Sequence, residues 1–454
     1  MPNIEIKIRQ IRKQNIAKYG NKYYLCSVKK IIMANTNYES RICDAELQEV
    51  LYSTGAVLIE GAKWCGKTST AANIAKSILL MQDIDKAKQY QQIADTMPSL
   101  LLKGDTPRLL DEWQVSPVLW DAVRFEVDKR QETGQFILTG SAVPADNVTA
   151  HTGTGRIARI LMRTMSLYES KESNGTVSLM DLFNGIQDIE SVSDLSIEQI
   201  AFCICRGGFP ASIGKPERAA LRMPIDYIEA VINTDVSRVD GVEKNPNKVR
   251  LLLRSLARNI ATMASFRTIL DDVEATEETI SDKTLSSYYN ALRRIFVVEP
   301  LPAWSPKLRS KTAIRTSPKH HFVDPAIATS VRRIKPDALL HDFEYFGFLF
   351  EALCTRDIRI YTQHNDGDVF HYRDKSGLEA DLIVQLRDGR WGAIEVKLGN
   401  KQIEEAAANL LKLKNKVNTE KMREPSFLMV LTGGQFAFRR KDGVLIVPLG
   451  CLKP

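Results

Sequence analysis

Gly61-Ala62-Lys63-Trp64-Cys65-Gly66-Lys67-Thr68 fits the phosphate-binding pattern G-x-x-x-x-G-K-[ST] without a mismatch. Its surroundings suit it. Ala56, Val57, Leu58 and Ile59 form an apolar run that reads as a buried parallel strand. Ser69 to Ile78 has helical composition, with Ala71, Ala72, Ile74, Ala75 and Ile78 placed for one packed face. Gly61 and Gly66 let the backbone curl so that N–H groups from Ala62 through Ser69 point at phosphate oxygens, and the helix N-terminus adds positive potential. Lys67 would reach the β- and γ-phosphates of a nucleotide, and the Thr68 hydroxyl would ligate Mg2+. A chance glycine-lysine turn is the bland alternative, and the strand-loop-helix context weighs against it.

Leu109-Leu110-Asp111-Glu112 is a short apolar segment ending in two acids, the form of a Walker B strand. Asp111 would hold Mg2+ through water, and Glu112 would orient or polarise an attacking water. An acidic pair at a strand end can also be a helix cap. Phe136-Ile137-Leu138-Thr139-Gly140-Ser141 reads as another buried strand ending in small polar groups, where the Ser141 hydroxyl would touch the γ-phosphate or the water. Three elements in this order predict an α/β P-loop NTPase, a parallel sheet flanked by helices that binds ATP with Mg2+.

Composition bounds the rest. The chain has 454 residues, enough for two to four domains, with 44% hydrophobic and 26% charged residues, as in an ordinary soluble globular protein. A net charge of +7 permits a basic patch without demanding one. No apolar run is long enough to span a bilayer. Seven cysteines lack zinc-type spacing and point to free thiols in a reducing cytoplasm.

Residues 1–32 are rich in Lys, Arg, Ile and Asn without lasting periodicity. They read as an upstream or unstructured extension, with a basic tail or a targeting peptide as alternatives. The ATPase core would occupy 33–165. It would include helices near Cys43 to Tyr52 and from Val118 to Arg130, the latter closed by Gly134. The Pro, Asn, Thr and Gly of Val143 to Gly155 predict a loop, followed by Arg156, Arg159 and Arg163. Arg156 would contact the γ-phosphate in cis or from a neighbouring subunit, or lie on a solvated basic face.

GAKWCGKT, LLDEWQ followed by a proline, GQFILTGS, Gly155-Arg156 and LMRTMSLYE together resemble the prokaryotic AAA+ superfamily ATPases whose C-terminal half is a domain of unknown function. The resemblance runs from about Asn35 to about Leu413. Trp64 and Cys65 replace the usual Gln-Val, and Trp113 replaces an aliphatic residue; neither change touches a group the phosphate chemistry needs. Arg206-Gly207-Gly208-Phe209-Pro210 resembles the family's Gly-Gly-Phe-Pro turn, a structural hinge.

Residues 166–240 read as a mostly helical connector. In 241–335, a helix from Asn245 to about Thr262, a second capped by Ser281, and a strand at Phe296-Val297-Val298 suggest a winged-helix-like module. Its Lys283, Arg293 and Arg294 either meet DNA phosphates or form a solvated face while the module packs against the core.

Residues 336–454 carry a second constellation. A helix near Tyr345 to Thr355 holds Glu351. Two strands hold Asp381 and the pair Glu395 and Lys397. A two-residue turn at Asp388-Gly389 would send Asp381 and Glu395 to opposite faces. A three-residue turn, Arg387 to Gly389 with Gly389 left-handed, pairs them and is the predicted register. Glu351, Asp381 and Glu395 could then hold Mg2+ while Lys397 positions the water, which resembles the PD-(D/E)xK nuclease core. An inactive nuclease-like domain is the alternative. His320-His321 lacks the neighbours of a zinc site. A helix at Ile403 to Leu413 and strands at Ser426 to Leu431 and Gly443 to Leu449 complete the chain.

These readings predict an ATP-hydrolysing cytoplasmic protein. A Mg2+-dependent DNA nuclease regulated by its ATPase, and a non-catalytic ATP switch for a protein partner, are the competing functions. DNA through the C-terminal half, a protein partner and a second copy of the chain are candidate partners.

Overall fold

The computed structural model describes residues 38–140, 153–239, 241–275, 280–305, 317–417 and 422–454. The extension 1–32 and Ser141 lie outside the described residues. The chain forms two compact units, one of Met1–Glu60 with Gly66–Leu161, the other of Gly61–Cys65 with Met162–Pro454.

In the first unit, helix α1 (Cys43–Ser53) leads into β1 (Ala56–Glu60), and α2 (Lys67–Ile74) follows the glycine loop. Then come β2 (Ser77–Leu80), α3 (Ala87–Thr96), β3 (Arg108–Asp111), α4 (Val118–Arg130), β4 (Phe136–Thr139) and β5 (Ile157–Leu161). The strands are parallel in the order β2-β3-β4-β1-β5. Of the three inner strands, β1 and β4 are apolar up to their last residues, Glu60 and Thr139, as strands buried on both faces of a parallel sheet are. Leu119, Trp120, Val123 and Val127 of α4 join Leu58, Leu110 and Leu138 in one core. Ile59, Thr139, Asp111 and Leu80 stand in register across four strands, so these C-terminal strand ends share one edge. Ligands of open parallel sheets bind at that edge.

The helix expected over Ser69 to Ile78 ends at Ile74. Ala75 is extended, Lys76 N donates to Pro107 O at 2.8 Å, and Ile78 pairs with Leu109 as part of β2. A short apolar run fits a strand as well as a helix, and pairing with β3 decides between them. Helix α4 has the expected bounds, although Gln131 (φ 56°), not Gly134, ends it.

In the second unit the expected connector contributes strands as well as helices. Its β6 (Val177–Ser178) pairs with the chain's last strand, while β7 (Ser191–Val192) edges the C-terminal sheet. Strands of two residues leave no periodicity to read. Between them lies α5 (Leu179–Phe183), and α6 (Ile197–Arg206) and α7 (Glu217–Ala230) follow. Next come α8 (Pro246–Arg258), α9 (Phe266–Glu274), which the sequence did not reveal, and α10 (Asp282–Arg294). Ser281 caps α10, its Oγ accepting from Thr284 N at 3.2 Å. The expected strand at 296–298 is reduced to an antiparallel bridge of Val298 with Phe322, and Leu301 bridges Lys319 in the same sense.

After α11 (Ala326–Arg332) and the long α12 (Phe343–His364), the C-terminal sheet is built from β8 (Gly367–Arg373), β9 (Glu379–Leu386) and β10 (Trp391–Lys397). Helix α13 (Ile403–Lys416) precedes β11 (Phe427–Thr432), β12 (Phe436–Arg439) and β13 (Leu445–Pro448), and β14 (Leu452–Lys453) ends the chain. The seven-stranded order is β7-β12-β13-β11-β10-β9-β8.

A partly buried ion pair predicts the acid limit of this unit. Glu299 accepts from Arg163 Nη2 at 2.5 Å, and Arg359 Nη1 lies 3.6 Å away. Burial pushes the Glu299 carboxyl up, but the two guanidinium groups more than offset it and hold it at about 2. A depressed folded-state pKa stabilises above the ordinary value of 4.5, and that contribution is lost as pH falls toward 2. Acid titration followed by circular dichroism should find Glu299→Gln less stable than wild type at pH 7. The two curves should converge by about pH 2, where the wild-type carboxyl protonates.

Candidate functional site

The glycine loop follows β1 at the sheet edge where Ile59, Thr139 and Asp111 align. Its backbone is left-handed at Trp64 (φ 65°), and Gly66 has φ 108°, which a side chain would strain. Gly66 O accepts from Thr70 N at 3.0 Å, the first bond of α2. That turn sets Lys67 and Thr68 at the head of the helix with Ser69 after them, and Lys67 is 7% exposed. Thr68 Oγ1 donates to Asp111 Oδ1 at 2.7 Å, and Thr139 Oγ1 donates to the same oxygen at 2.7 Å. Two hydroxyls distant in sequence thus converge on one carboxylate oxygen of Asp111. A hydroxyl beside a carboxylate is the oxygen donor set Mg2+ takes, so these residues fit that ion.

Glu112 follows in a left-handed conformation (φ 54°), which re-aims its side chain out of the strand direction. Gln114 Nε2 donates to Glu112 Oε2. Sequence reasoning missed Gln114 and Thr139 as members. Both stand in segments already singled out: Thr139 is the polar residue that ends β4, and Gln114 is the polar residue two past Glu112. Within the second unit, Lys63 Nζ lies 2.5 Å from Asp235 Oδ1, and the Trp64 ring lies 5.8 Å from that of Tyr227. Cys65 is buried, its Sγ donating to Met162 O at 3.4 Å, so it fills space below the loop.

Arg156 does not join this site in cis. It precedes β5, accepts Ala56 N–H on its carbonyl at 3.1 Å, and ion-pairs with Asp128 at 2.8 Å. Because β5 runs parallel to β1, Arg156 lies at the opposite edge of the sheet from the loop that follows Glu60. The expectation of a γ-phosphate contact within one chain is thereby corrected by strand direction.

The second constellation assembles as the register predicts. Leu386 N donates to Arg390 O at 2.9 Å across a three-residue turn whose Gly389 has φ 85°. Ile394 pairs with Leu382, so Glu395 and Asp381 face each other at the next step. Glu351 arrives from α12. Lys397 Nζ lies 2.8 Å from Glu395 Oε2 and 3.5 Å from Asp381 Oδ2, which also accepts from Val396 N at 2.9 Å. A residue the sequence did not suggest, Lys319, lies 2.6 Å from Glu351 Oε1 and 3.2 Å from Asp381 Oδ1.

Burial first, then the Asp381 charge, pushes the Glu395 carboxyl up to about 8. Burial also raises Glu351 to about 7, against the pull of Lys319. Burial acts upward on Asp381 too, but Lys319 and Lys397 more than offset it and hold the carboxyl at about 2. Both lysines are raised above the ordinary range because the carboxylates outweigh their burial. Mg2+ on Glu351, Asp381 and Glu395 does not fit this arrangement: two ammonium groups already engage both oxygens of the central Asp381 and one oxygen each of Glu351 and Glu395. Among the described residues no group of three or more His, Cys, Asp or Glu is gathered to hold a metal ion. The metal reading of these three acids is corrected accordingly.

Residues 53–171 match the family described as AAA domain. Residues 197–338 match a domain of unknown function, DUF8612, and residues 346–452 another, DUF4143. No curated protein matches the chain. Among solved structures it is similar to the Walker-type ATPase paby2304 of Pyrococcus abyssi, at 12% identity and a TM-score of 0.40, over 64% of this chain and 94% of that one. It is also similar to the replication initiator DnaA bound to AMPPCP and single-stranded DNA (14% identity, TM-score 0.27, 56% of this chain and 86% of that one). For PCH-2 of C. elegans the values are 11%, 0.17, 60% and 68%. At TM-scores this low the structural likenesses carry no argument. The AAA-domain match supports ATP binding by the segment that contains the loop. No helix among the described residues is long and apolar enough to cross a membrane.

Proposed function

We propose that the chain binds ATP with Mg2+ at Gly61 to Thr68 and hydrolyses it. The observation that carries this reading is the contact of Thr68 and Thr139 with Asp111 Oδ1 at 2.7 Å each, beside a glycine loop that opens a helix. Loop N–H groups and Lys67 bind and orient the phosphates; Thr68 and Asp111 would hold Mg2+. When bound, the ion supplies charge neutralisation on the β- and γ-oxygens. Glu112 orients a water for in-line attack on the γ-phosphorus; the bond to the β,γ-bridging oxygen breaks, leaving ADP and phosphate. Gln114 Nε2 donates to Glu112 Oε2 and so helps position that carboxylate.

Glu112→Gln tests hydrolysis against a purely binding switch. Turnover should fall about 10²–10⁴-fold, the worth of a positioned acid–base group, while ATP affinity measured by calorimetry stays within a few-fold. Tight ATP binding with negligible hydrolysis by the wild type would favour the switch for a protein partner, and wild-type turnover in the variant would remove Glu112 from the chemistry. The cytoplasm is the compartment this chemistry suits.

We also infer a winged-helix-like module from α8, α9 and α10 with the two antiparallel bridges, and a nuclease-like frame from α12 with β8 to β11. Lys283 and Arg293 of α10 are exposed, which supports DNA as a partner of the module. ATP turnover with and without duplex DNA tests it. Stimulation ties DNA to the ATPase; unchanged turnover leaves the module a packing element.

A further inference from the structure

Glu351, Asp381 and Glu395 come from a helix and two neighbouring strands to one spot, and what stands among them is ammonium. Lys319 Nζ takes Glu351 Oε1 at 2.6 Å and Asp381 Oδ1 at 3.2 Å. Lys397 Nζ takes Glu395 Oε2 at 2.8 Å and Asp381 Oδ2 at 3.5 Å, and the Val396 amide donates to that same Oδ2 at 2.9 Å. Both oxygens of Asp381, the central carboxylate, are thus engaged by donors.

Lys319 is held from its own backbone. Its N–H and C=O both bond Leu301, each at 2.9 Å, and the next residue's N–H bonds Thr262 O at 2.8 Å. The side chain is 7% exposed, so it is a fixed member of the cluster rather than a surface lysine that swings in.

We propose that the Lys319 ammonium is the resident cation of this cluster, bridging Glu351 of α12 to Asp381 of β9 where a nuclease of this frame would hold a divalent metal. The C-terminal domain therefore binds no Mg2+ at these acids and does not cleave phosphodiesters by metal assistance. Mg2+ needs several oxygens at about 2.0–2.1 Å in near-octahedral array, whereas an ammonium is satisfied by hydrogen-bond lengths in directions the stem can supply. The two cations compete for the same oxygens and repel each other. The two bonds to Leu301 fix the Lys319 backbone, and the buried stem, 7% exposed, can withdraw its ammonium only by a rotamer change within packed surroundings. What the cluster does instead is clasp three segments remote in sequence: the one after Leu301, the long helix and the hairpin.

The test uses the full chain without nucleotide and Mn2+ alone as probe, read by electron paramagnetic resonance. The wild type should give no Mn2+ site that depends on Asp381. Lys319→Ala should gain one, at least about tenfold tighter than any wild-type binding, and Lys319→Ala/Asp381→Asn should lose it again. A wild-type Mn2+ site that vanishes in Asp381→Asn overturns the proposal. A folded Lys319→Ala that gains nothing overturns it as well. Should Lys319→Ala not fold, Lys319→Met keeps the stem and takes its place. The comparison of wild type with Asp381→Asn decides by itself whether metal is native to the cluster. None of these outcomes bears on ATP turnover, so failure here and failure of the ATPase reading are distinguishable.

Discussion

Lys67→Ala should abolish ATP hydrolysis, lowering kcat/KM by about 10²–10³-fold or more, the scale for removing one preorganised donor from developing charge. Lys67 opens α2 directly after Gly66, and it is 7% exposed, so its charge acts in surroundings that water screens weakly. The transferring phosphoryl group carries its charge on oxygens, and a cation fixed beside them stabilises the transition state more than the ground state. Phosphate release measured on both proteins checks the effect, with circular dichroism to verify folding. Lys67→Met separates charge from stem: it should be as inactive as the alanine variant. Lys67→Arg should not restore the rate, because a planar fork does not occupy the volume of a point ammonium. Unchanged turnover in Lys67→Ala would remove the assignment of hydrolysis to this loop.

That site was largely legible in the sequence because its chemistry depends on backbone curvature, and curvature demands glycine at fixed spacing. Asp111 could be placed for the same kind of reason, since an acid at the end of a buried apolar strand has few other uses. The hairpin of Asp381 and Glu395 was legible through one residue, Gly389, whose φ of 85° selects the three-residue turn and so the face of every side chain on both strands. The in-cis option for Arg156 fell because it depends on strand direction, while a contact from a neighbouring subunit and a solvated face stay open. The motif gives proximity in sequence, whereas β5 runs parallel to β1 and sets Arg156 at the opposite edge. Ile78 was misread because a four-residue edge strand leaves too short a pattern to separate from a helix. Lys319 carried no signal at all. It stands in no motif and reaches Glu351, 32 residues on, only through the bridge to Leu301.

Asp324→Ala should unfold most of the second unit, at a cost of about 3–5 kcal/mol, the range for breaking a buried ion pair from one side. Asp324 has no exposed surface. Its Oδ2 accepts from Thr164 Oγ1 at 2.7 Å, Gly208 N at 2.8 Å and Arg356 Nη1 at 3.2 Å, and its Oδ1 accepts from Ala326 N at 2.9 Å. Arg356 continues to Asp357, whose Oδ2 accepts from Leu167 N at 2.9 Å. One carboxylate therefore ties the segment after β5, the Gly207-Gly208 turn, the start of α11 and the middle of α12. Alanine leaves a hydroxyl, two amides and part of a guanidinium buried without their acceptor, and each such group carries its own desolvation cost. The expected loss is a large part of the roughly 5–15 kcal/mol that holds a domain folded. Urea unfolding followed by fluorescence reads it, since Trp304 and Trp391 are buried in this unit with ring centroids 4.8 Å apart. Asp324→Asn keeps the shape and one acceptor oxygen while removing the charge, so it should cost less, about 1.5–3 kcal/mol. If the alanine variant melts within about 1 kcal/mol of wild type, the amides and Arg356 have found other partners and the carboxylate is not what joins these segments.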